Sequence, residues 1–320
     1  MGTETDRPRY LPPEPLPRGG TAGAARAGGR RAPVPDLAEP PRPVPPTVRV
    51  AALFGGFFNQ FGWLFFGFGM IFVWAFVPGI DFTSWYRFRG DVATTQGTVT
   101  AVRKTHMSEN NVEVYEIRYA FAADDGRRYE GTSYTTGARY GEGQTVDVEY
   151  CKDDPGVSRI AGARRRPAPI WVSFVLVFPL VGLVFIVAGL KRGMKANRLL
   201  GRGKVGLGTL KSKEPTNTSI NDQPVYKLTF EFAAEDGQTY EVVAKTHETH
   251  LLEDDAEERL LYDPWNPRYA AMLDNLPGAP EIDETGRLHP RSVARGLAVL
   301  ILPLLTLLGH GLYVYYGLLR

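Results

Sequence analysis

Three windows of the chain carry no Asp, Glu, Lys or Arg: Val50–Ile80, Ile170–Leu190 and Leu297–Leu319. Together they hold 75 of the 320 residues, so all 72 charged residues fall in the remaining 245. The mean hydropathy of −0.19 conceals this segregation. A hydrocarbon layer about 30 Å thick is crossed by roughly 20 apolar residues of helix, because only an internally hydrogen-bonded backbone survives there. Each window is long enough, which excludes a single soluble globular domain and predicts transmembrane helices over 50–80, 170–190 and 297–319. The first follows a polar segment and lacks the short apolar core and small-residue end of a cleaved signal peptide. Trp85, Tyr86, Trp171, Tyr313, Tyr315 and Tyr316 stand at window ends, where amphipathic rings favour the membrane interface. Pro179 and Pro303 lie inside the second and third windows, a position tolerated in membrane helices.

Basic residues flanking the windows give an orientation. Arg42, Arg49, Lys191, Arg192, Lys195, Arg198, Arg202, Lys204, Arg287, Arg291 and Arg295 fall on one side, against Arg87, Arg89, Arg159, Arg164, Arg165, Arg166 and Arg320 on the other. The positive-inside tendency then favours a cytoplasmic N-terminus in a multi-pass protein of the cell membrane. A net charge of +2 gives no basis for nucleic-acid binding. The one cysteine, Cys151, excludes an intrachain disulfide and a cysteine-based zinc knuckle, and reads as a packing residue beside Tyr150.

The first window repeats every seven residues, as FGGFFNQ, FGWLFFG and FGMIFVW from Phe54, Phe61 and Phe68. Gly55, Gly62 and Gly69 recur on one helical face with Asn59. Small residues let helix backbones approach, and an amide can hydrogen-bond across the contact, so these four form a candidate helix-packing seam, within the chain or between copies of it. The alternative is compositional, with Phe54, Phe61 and Phe68 simply facing lipid. Residues 1–49 are read as a disordered tether: positions 1–48 hold 12 prolines and 6 glycines, with Tyr10 the only aromatic. The PxxP spacings at Pro12–Pro15 and Pro40–Pro43 arise readily in such a run. Residues 275–296 read as a polar linker.

Between the windows lies a repeat. VYEIRYAFAADDGRRYEG from Val114 matches VYKLTFEFAAEDGQTYEV from Val225 at nine of eighteen positions, at a constant offset of 111. Tyr115, Ile117, Tyr119 and Phe121 alternate with polar residues, as do Tyr226, Leu228, Phe230 and Phe232, which predicts half-buried strands. Asp125-Gly126 and Asp236-Gly237 then supply the positive φ of tight hairpins. With opening strands at Gly97–Arg103 and Gly206–Lys211 and closing strands at Val146–Tyr150 and Arg259–Tyr262, each copy (95–162 and 203–274) predicts four or five strands. The expected fold class is an α+β membrane protein: three transmembrane helices plus two small antiparallel β-barrel-like domains, SH3- or OB-like, related by duplication. One span separates the copies, which places them on opposite faces of the membrane.

A strand beginning GTV, a central strand ending in a DG hairpin, then GQTVDVEY and a YDPWNP-type ending resemble a widespread bacterial family known only as a domain of unknown function, a small β-domain flanked by transmembrane helices. The resemblance covers Gly97–Ile160, with Gly206–Met272 as a more diverged copy. Tyr262, Asp263, Pro264, Asn266 and Pro267 match its closing motif; the first copy departs from it with Tyr150, Cys151, Lys152, Asp153, Asp154 and Pro155. The resemblance implies no activity and no catalytic residues.

Motifs with chemistry are sparse. His247 and His250 in THETH lack the i, i+4 spacing of a zinc-protease helix. Asp153-Asp154 and Glu253-Asp254-Asp255 read as solvated acidic loops. The sequence contains no G-x-S-x-G, Walker or dinucleotide motif. Polar residues inside spans are functional suspects by default, so Asn59, Gln60 and His310 form a candidate intramembrane polar site. The expected function is therefore non-enzymatic: a membrane-embedded interaction or assembly module, with the lipid bilayer, further copies of itself or other membrane proteins as partners, and no cofactor or metal. The alternative is a transporter or channel subunit using the three polar residues.

Overall fold

The structure, a computed structural model, describes residues 37–220, 222–278 and 280–318. The tether reading for residues 1–36, including Pro12–Pro15, lies outside these. Residues 37–49 depart from it. Leu37, Val44 and Val48 are buried in one core with Leu199, Leu200, Leu261, Leu276 and Leu288. The segment runs into a helix, α1 (Pro46–Phe54), opened by Pro46 at a first-turn position where no N–H is required. Three well-spaced aliphatic side chains anchor a chain whose composition alone reads as unfolded.

The first apolar window is accordingly two helices, not one. α1 stops at Gly55, and Gly56 adopts φ +78°, a left-handed conformation that glycine takes without Cβ strain. The long apolar helix is α2 (Phe57–Phe76), followed by a single 3-10 turn and a short α3 (Phe82–Arg87) capped by Asp81, whose Oδ1 accepts from Ser84 N at 2.9 Å. The second window begins as 3-10 helix (Ile170–Leu176) and continues as α4 (Val177–Arg202), which extends 12 residues beyond the last apolar position, Leu190. That extension is amphipathic, burying Gly193, Ala196, Leu199 and Leu200. The third is α5 (Val293–Ala298) followed by α6 (Ile301–Leu318). Among the described residues, three helical stretches are long and apolar enough to cross a membrane.

After α3, β1 (Val92–Glu109), β2 (Val112–Ala122), β3 (Arg128–Thr136), β4 (Thr145–Cys151) and β5 (Asp154–Ile160) form an antiparallel sheet ordered β3-β2-β1-β4-β5. It curls until its edges meet: the peptide groups of Tyr134 and Arg164 exchange hydrogen bonds at 2.6 and 3.1 Å, and Ser133 Oγ accepts from Ile160 N. The result is nearly a barrel, filled by Val99, Ile117, Tyr119, Phe121, Val148, Tyr150 and Ile160. After α4, β6 (Lys204–Ile220), β7 (Gln223–Ala233), β8 (Thr239–Thr246), β9 (Glu258–Asp263) and β10 (Asn266–Met272) adopt the same order, β8-β7-β6-β9-β10.

The likeness extends to irregularities. Register breaks fall at Val99/Ala101 and Lys104/Ser108 in β1 and at Leu210/Ser212 and Pro215/Ser219 in β6, each pair 111 residues apart. Thr105 Oγ1 donates to Val114 O at 2.8 Å and Thr216 Oγ1 to Val225 O at 2.7 Å. In the hairpins, Tyr129 Oη donates to Asp125 Oδ2 and Tyr240 Oη to Asp236 Oδ2, both at 2.7 Å. Backbone and phenol donors hold both aspartates below the usual carboxylate range. Bulges bend a strand and raise its twist, so two sheets bulged at the same places curl alike.

In β9, Leu260 and Tyr262 point into the core of the second sheet while Leu261 points out, into the core shared with α4 and residues 37–48. A strand buried on both faces thereby welds this module to the helices. The segment 275–296, expected as a linker, is partly ordered too. β11 (Glu281–Ile282) and β12 (Leu288–His289) form a hairpin whose turn is gathered on Asp283. The N–H of Arg287, the Thr285 hydroxyl and His289 hold the Asp283 carboxyl well below the ordinary range.

Glu258 opens β9 at 5% exposure. Burial, reinforced by Asp254 and Asp274 nearby, pushes its carboxyl up to about 7. A carboxyl that binds its proton more tightly when folded stabilises the fold at low pH, and this contribution is lost as pH rises through the folded value. Melts of the full chain between roughly pH 5 and 8 should show falling stability of the second module, and Glu258→Gln should flatten that slope.

Candidate functional site

Helices α2 and α4 run antiparallel in close contact, and glycines on both sides allow it. A Cβ at Gly62 would lie 2.6 Å from Ile186 N, and one at Gly69 2.7 Å from Pro179 N. From the other side, a Cβ at Gly189 would lie 2.7 Å from Asn59 N, and Gly182 abuts the backbone of Phe66. Real side chains do not tolerate such distances, so the backbones meet only because these positions carry hydrogen. Around the seam Phe58, Phe61, Phe65 and Phe72 pack on Phe178 and Phe185, with ring centroids 5.1–6.1 Å apart.

Of the four candidate seam residues, Gly62, Gly69 and Asn59 face α4. Asn59 is fully buried against Gly189, and its Nδ2 lies 3.3 Å from Leu53 O. Gly55 does not share that contact: it ends α1, its N–H donating to Ala51 O at 2.8 Å. The seven-residue rhythm continues past the start of α2 into a break. The facing glycines, Gly182 and Gly189, were missed, although they too are seven apart in the second window.

The three polar residues of the apolar helices are not brought together. Asn59 lies in the α2–α4 contact, whereas Gln60 Nε2 donates to Phe54 O at 2.7 Å and Val299 O at 2.8 Å, tying the α1–α2 break to the α5–α6 junction. His310 is farther along the α2–α6 contact. Its Nδ1 accepts from Trp74 Nε1 at 3.0 Å, leaving Nε2 to donate to Gly67 O at 3.1 Å. Asn59 and Gln60 thus both bond the end of α1, Gln60 reaching the α5–α6 junction as well, while His310 joins α6 to α2.

Both modules are fixed to this helix pair, at opposite ends. At one end, Asp81 N donates to Ala168 O and Ala168 N to Gly79 O, joining the exit of α2 to the entry of α4. Asp81 Oδ2 also accepts from Arg165 N at 2.6 Å, and Arg87 pairs with Asp153 at 2.8 Å, seating the first module. At the other end, Arg198 of α4 pairs with Asp263 in the β9–β10 turn. Tyr269 of β10 lies under Lys195 Nζ at 4.8 Å. Trp265, at the tip of that turn, is 93% exposed. His247 and His250 sit at an exposed single 3-10 turn (Thr249–Leu251), and among the described residues no three His, Cys, Asp or Glu side chains gather as a metal site.

Residues 95–165 match the family described as a domain of unknown function (DUF3592). That stretch is the first β-module. No curated protein matches the chain. Among solved structures, "Structure and Conformational Change of a Replication Protein A Heterotrimer Bound to ssDNA" aligns at 9% identity over 55% of this chain and 44% of that one. The chain thus spans less than half of that protein's length, and a TM-score of 0.15 carries no inference of fold or binding.

Overpacking a close helix contact costs about 1–3 kcal/mol. Gly62→Leu and Gly189→Leu should each destabilise the detergent-purified protein by that order, measured by thermal or denaturant unfolding. Gly309→Leu on α6, where a side chain would meet open space, should leave stability unchanged within error.

Proposed function

We propose that this is a bacterial-type, multi-pass protein of the cell membrane with a cytoplasmic N-terminus, acting without catalysis as an assembly platform. Two small barrels of SH3- or OB-like kind, copies of one duplicated module, are displayed on opposite faces and bind partner proteins there. The observation that carries this reading is the seating of one module at each end of a single antiparallel helix pair. An interlocked pair that spans a bilayer would hold both modules in fixed register to it.

Duplication is supported by strand order, bulges and hairpin hydrogen bonds recurring at one offset, details that unrelated small barrels have no reason to share. A binding role is supported by the long hairpins. The outer part of β6 is exposed almost throughout and Gln223 and Pro224 open β7 exposed, giving a two-stranded arm that is solvated toward its tip. The transporter reading gains no comparable support, since Asn59 and Gln60 bond backbone carbonyls at the end of α1 whereas His310 bonds Trp74 and Gly67 farther along α2.

Single cysteines at the equivalent exposed positions Arg128 and Thr239, in a Cys151→Ala background, test the arrangement. An impermeant maleimide should label Arg128→Cys in intact cells and Thr239→Cys only after permeabilisation. Labelling of both from the same side contradicts the two-faced arrangement; the reverse pattern contradicts only the orientation.

A further inference from the structure

The end of α4 and the chain entering α1 enclose an open pocket of about 620 Å³. Arg42, Arg49, Arg198 and Arg202 line it, together with the aliphatic side chains of Leu53 and Met194. Arg42 is the unusual member. It is 6% exposed, and its Nη2 donates to Gly203 O, yet its Nε and Nη1 have no hydrogen-bond partner. Burial lowers its pKa, an effect that Glu39 nearby opposes without forming an ion pair. The charge of a buried guanidinium is costly unless an anion nearby offsets it. Arg198 is occupied by Asp263. Among the described residues no carboxylate pairs with Arg49 or Arg202, so the pocket carries an excess of positive charge.

Its position specifies the kind of anion. Met194 is 55% exposed and lies one turn past Leu190, the last residue of the apolar window; Arg198 and Arg202 follow at one-turn intervals. Helical side chains lean toward the helix N-terminus, here toward the apolar stretch, and long cationic side chains extend further that way. The pocket therefore opens beside the apolar section of the helices, with guanidinium groups above and aliphatic groups below. A free phosphate would use only the former.

We infer that this pocket binds the headgroup phosphate of an anionic phospholipid, with Arg49 and Arg202 as its exposed contacts and the charge of buried Arg42 behind them. The inference rests on the membrane reading above, and its test separates the two. Full-length protein is transferred into nanodiscs of phosphatidylcholine or of phosphatidylcholine with phosphatidylglycerol, and retained phosphatidylglycerol is counted by native mass spectrometry. Failure to enter either nanodisc overturns the membrane reading itself. Entry without preferential retention of phosphatidylglycerol overturns only the headgroup site.

Each basic residue at a lipid surface contributes about a fivefold change in affinity. Arg42→Met should lower phosphatidylglycerol affinity by at least that factor, and the doubly exposed variant Arg49→Gln/Arg202→Gln by more. Should Arg42→Met fail to fold, the double variant decides. Arg166→Gln, at the opposite end of the helix pair, should change nothing; an equal loss there means diffuse charge attraction and overturns the site. Displacement of the lipid by millimolar inorganic phosphate would assign a free-phosphate site and overturn the lipid assignment.

Discussion

The backbone contact between α2 and α4 is the constraint on which the rest of the structure depends. Two antiparallel helices approach this closely only where both carry hydrogen in place of a side chain, and Gly62, Gly69, Gly182 and Gly189 supply those positions. In lipid the hydrophobic effect gives helices no reason to associate, so close van der Waals packing has to do so. Once paired, the helices fix where α2 ends and α4 begins, and the hydrogen bonds of Ala168 to Gly79 and Asp81 close that end. They equally fix the amphipathic extension of α4, on which residues 37–48, β9 and the 275–290 segment assemble a core of their own.

The two modules are attached by different physical means. The first is seated by polar links: the Asp81 carboxylate gripping both α3 and Arg165, and the Arg87–Asp153 pair. The second is joined by burial, through Leu261 on the outer face of a strand whose inner face packs into the core of its own sheet. Exposed ion pairs contribute little, whereas a continuous apolar core resists separation.

Much of this was legible in the sequence, for specific reasons. Charge-free windows of 21 residues or more announce themselves because bilayers tolerate little else. Strict alternation in Tyr115–Phe121 and Tyr226–Phe232, followed each time by Asp-Gly, gave the central hairpins, since one face of each strand fills a barrel. Strand ends were harder to read. β1 and β6 run well past the expected segments because their outer halves are exposed ribbons without alternation. The strands after Asp153 and Pro264 carry the turn motif but little apolar pattern of their own.

What escaped the sequence depends on distant partners. Leu37, Val44 and Val48 read as part of a proline-rich tether because their burial requires α4 and β9. Gly55 fits the heptad rhythm, yet belongs to a helix break. Nothing local marks Arg42, whose burial follows from where Gly203 comes to lie. The most direct test of the central claim is a distance measurement between the modules by double electron–electron resonance. Spin labels at Arg128→Cys and Thr239→Cys would be used in the reconstituted Cys151→Ala protein. The expected result is one narrow distribution centred beyond the roughly 30 Å of the hydrocarbon layer. A broad distribution, or a distance shorter than that, would contradict a rigid helix pair holding the modules apart.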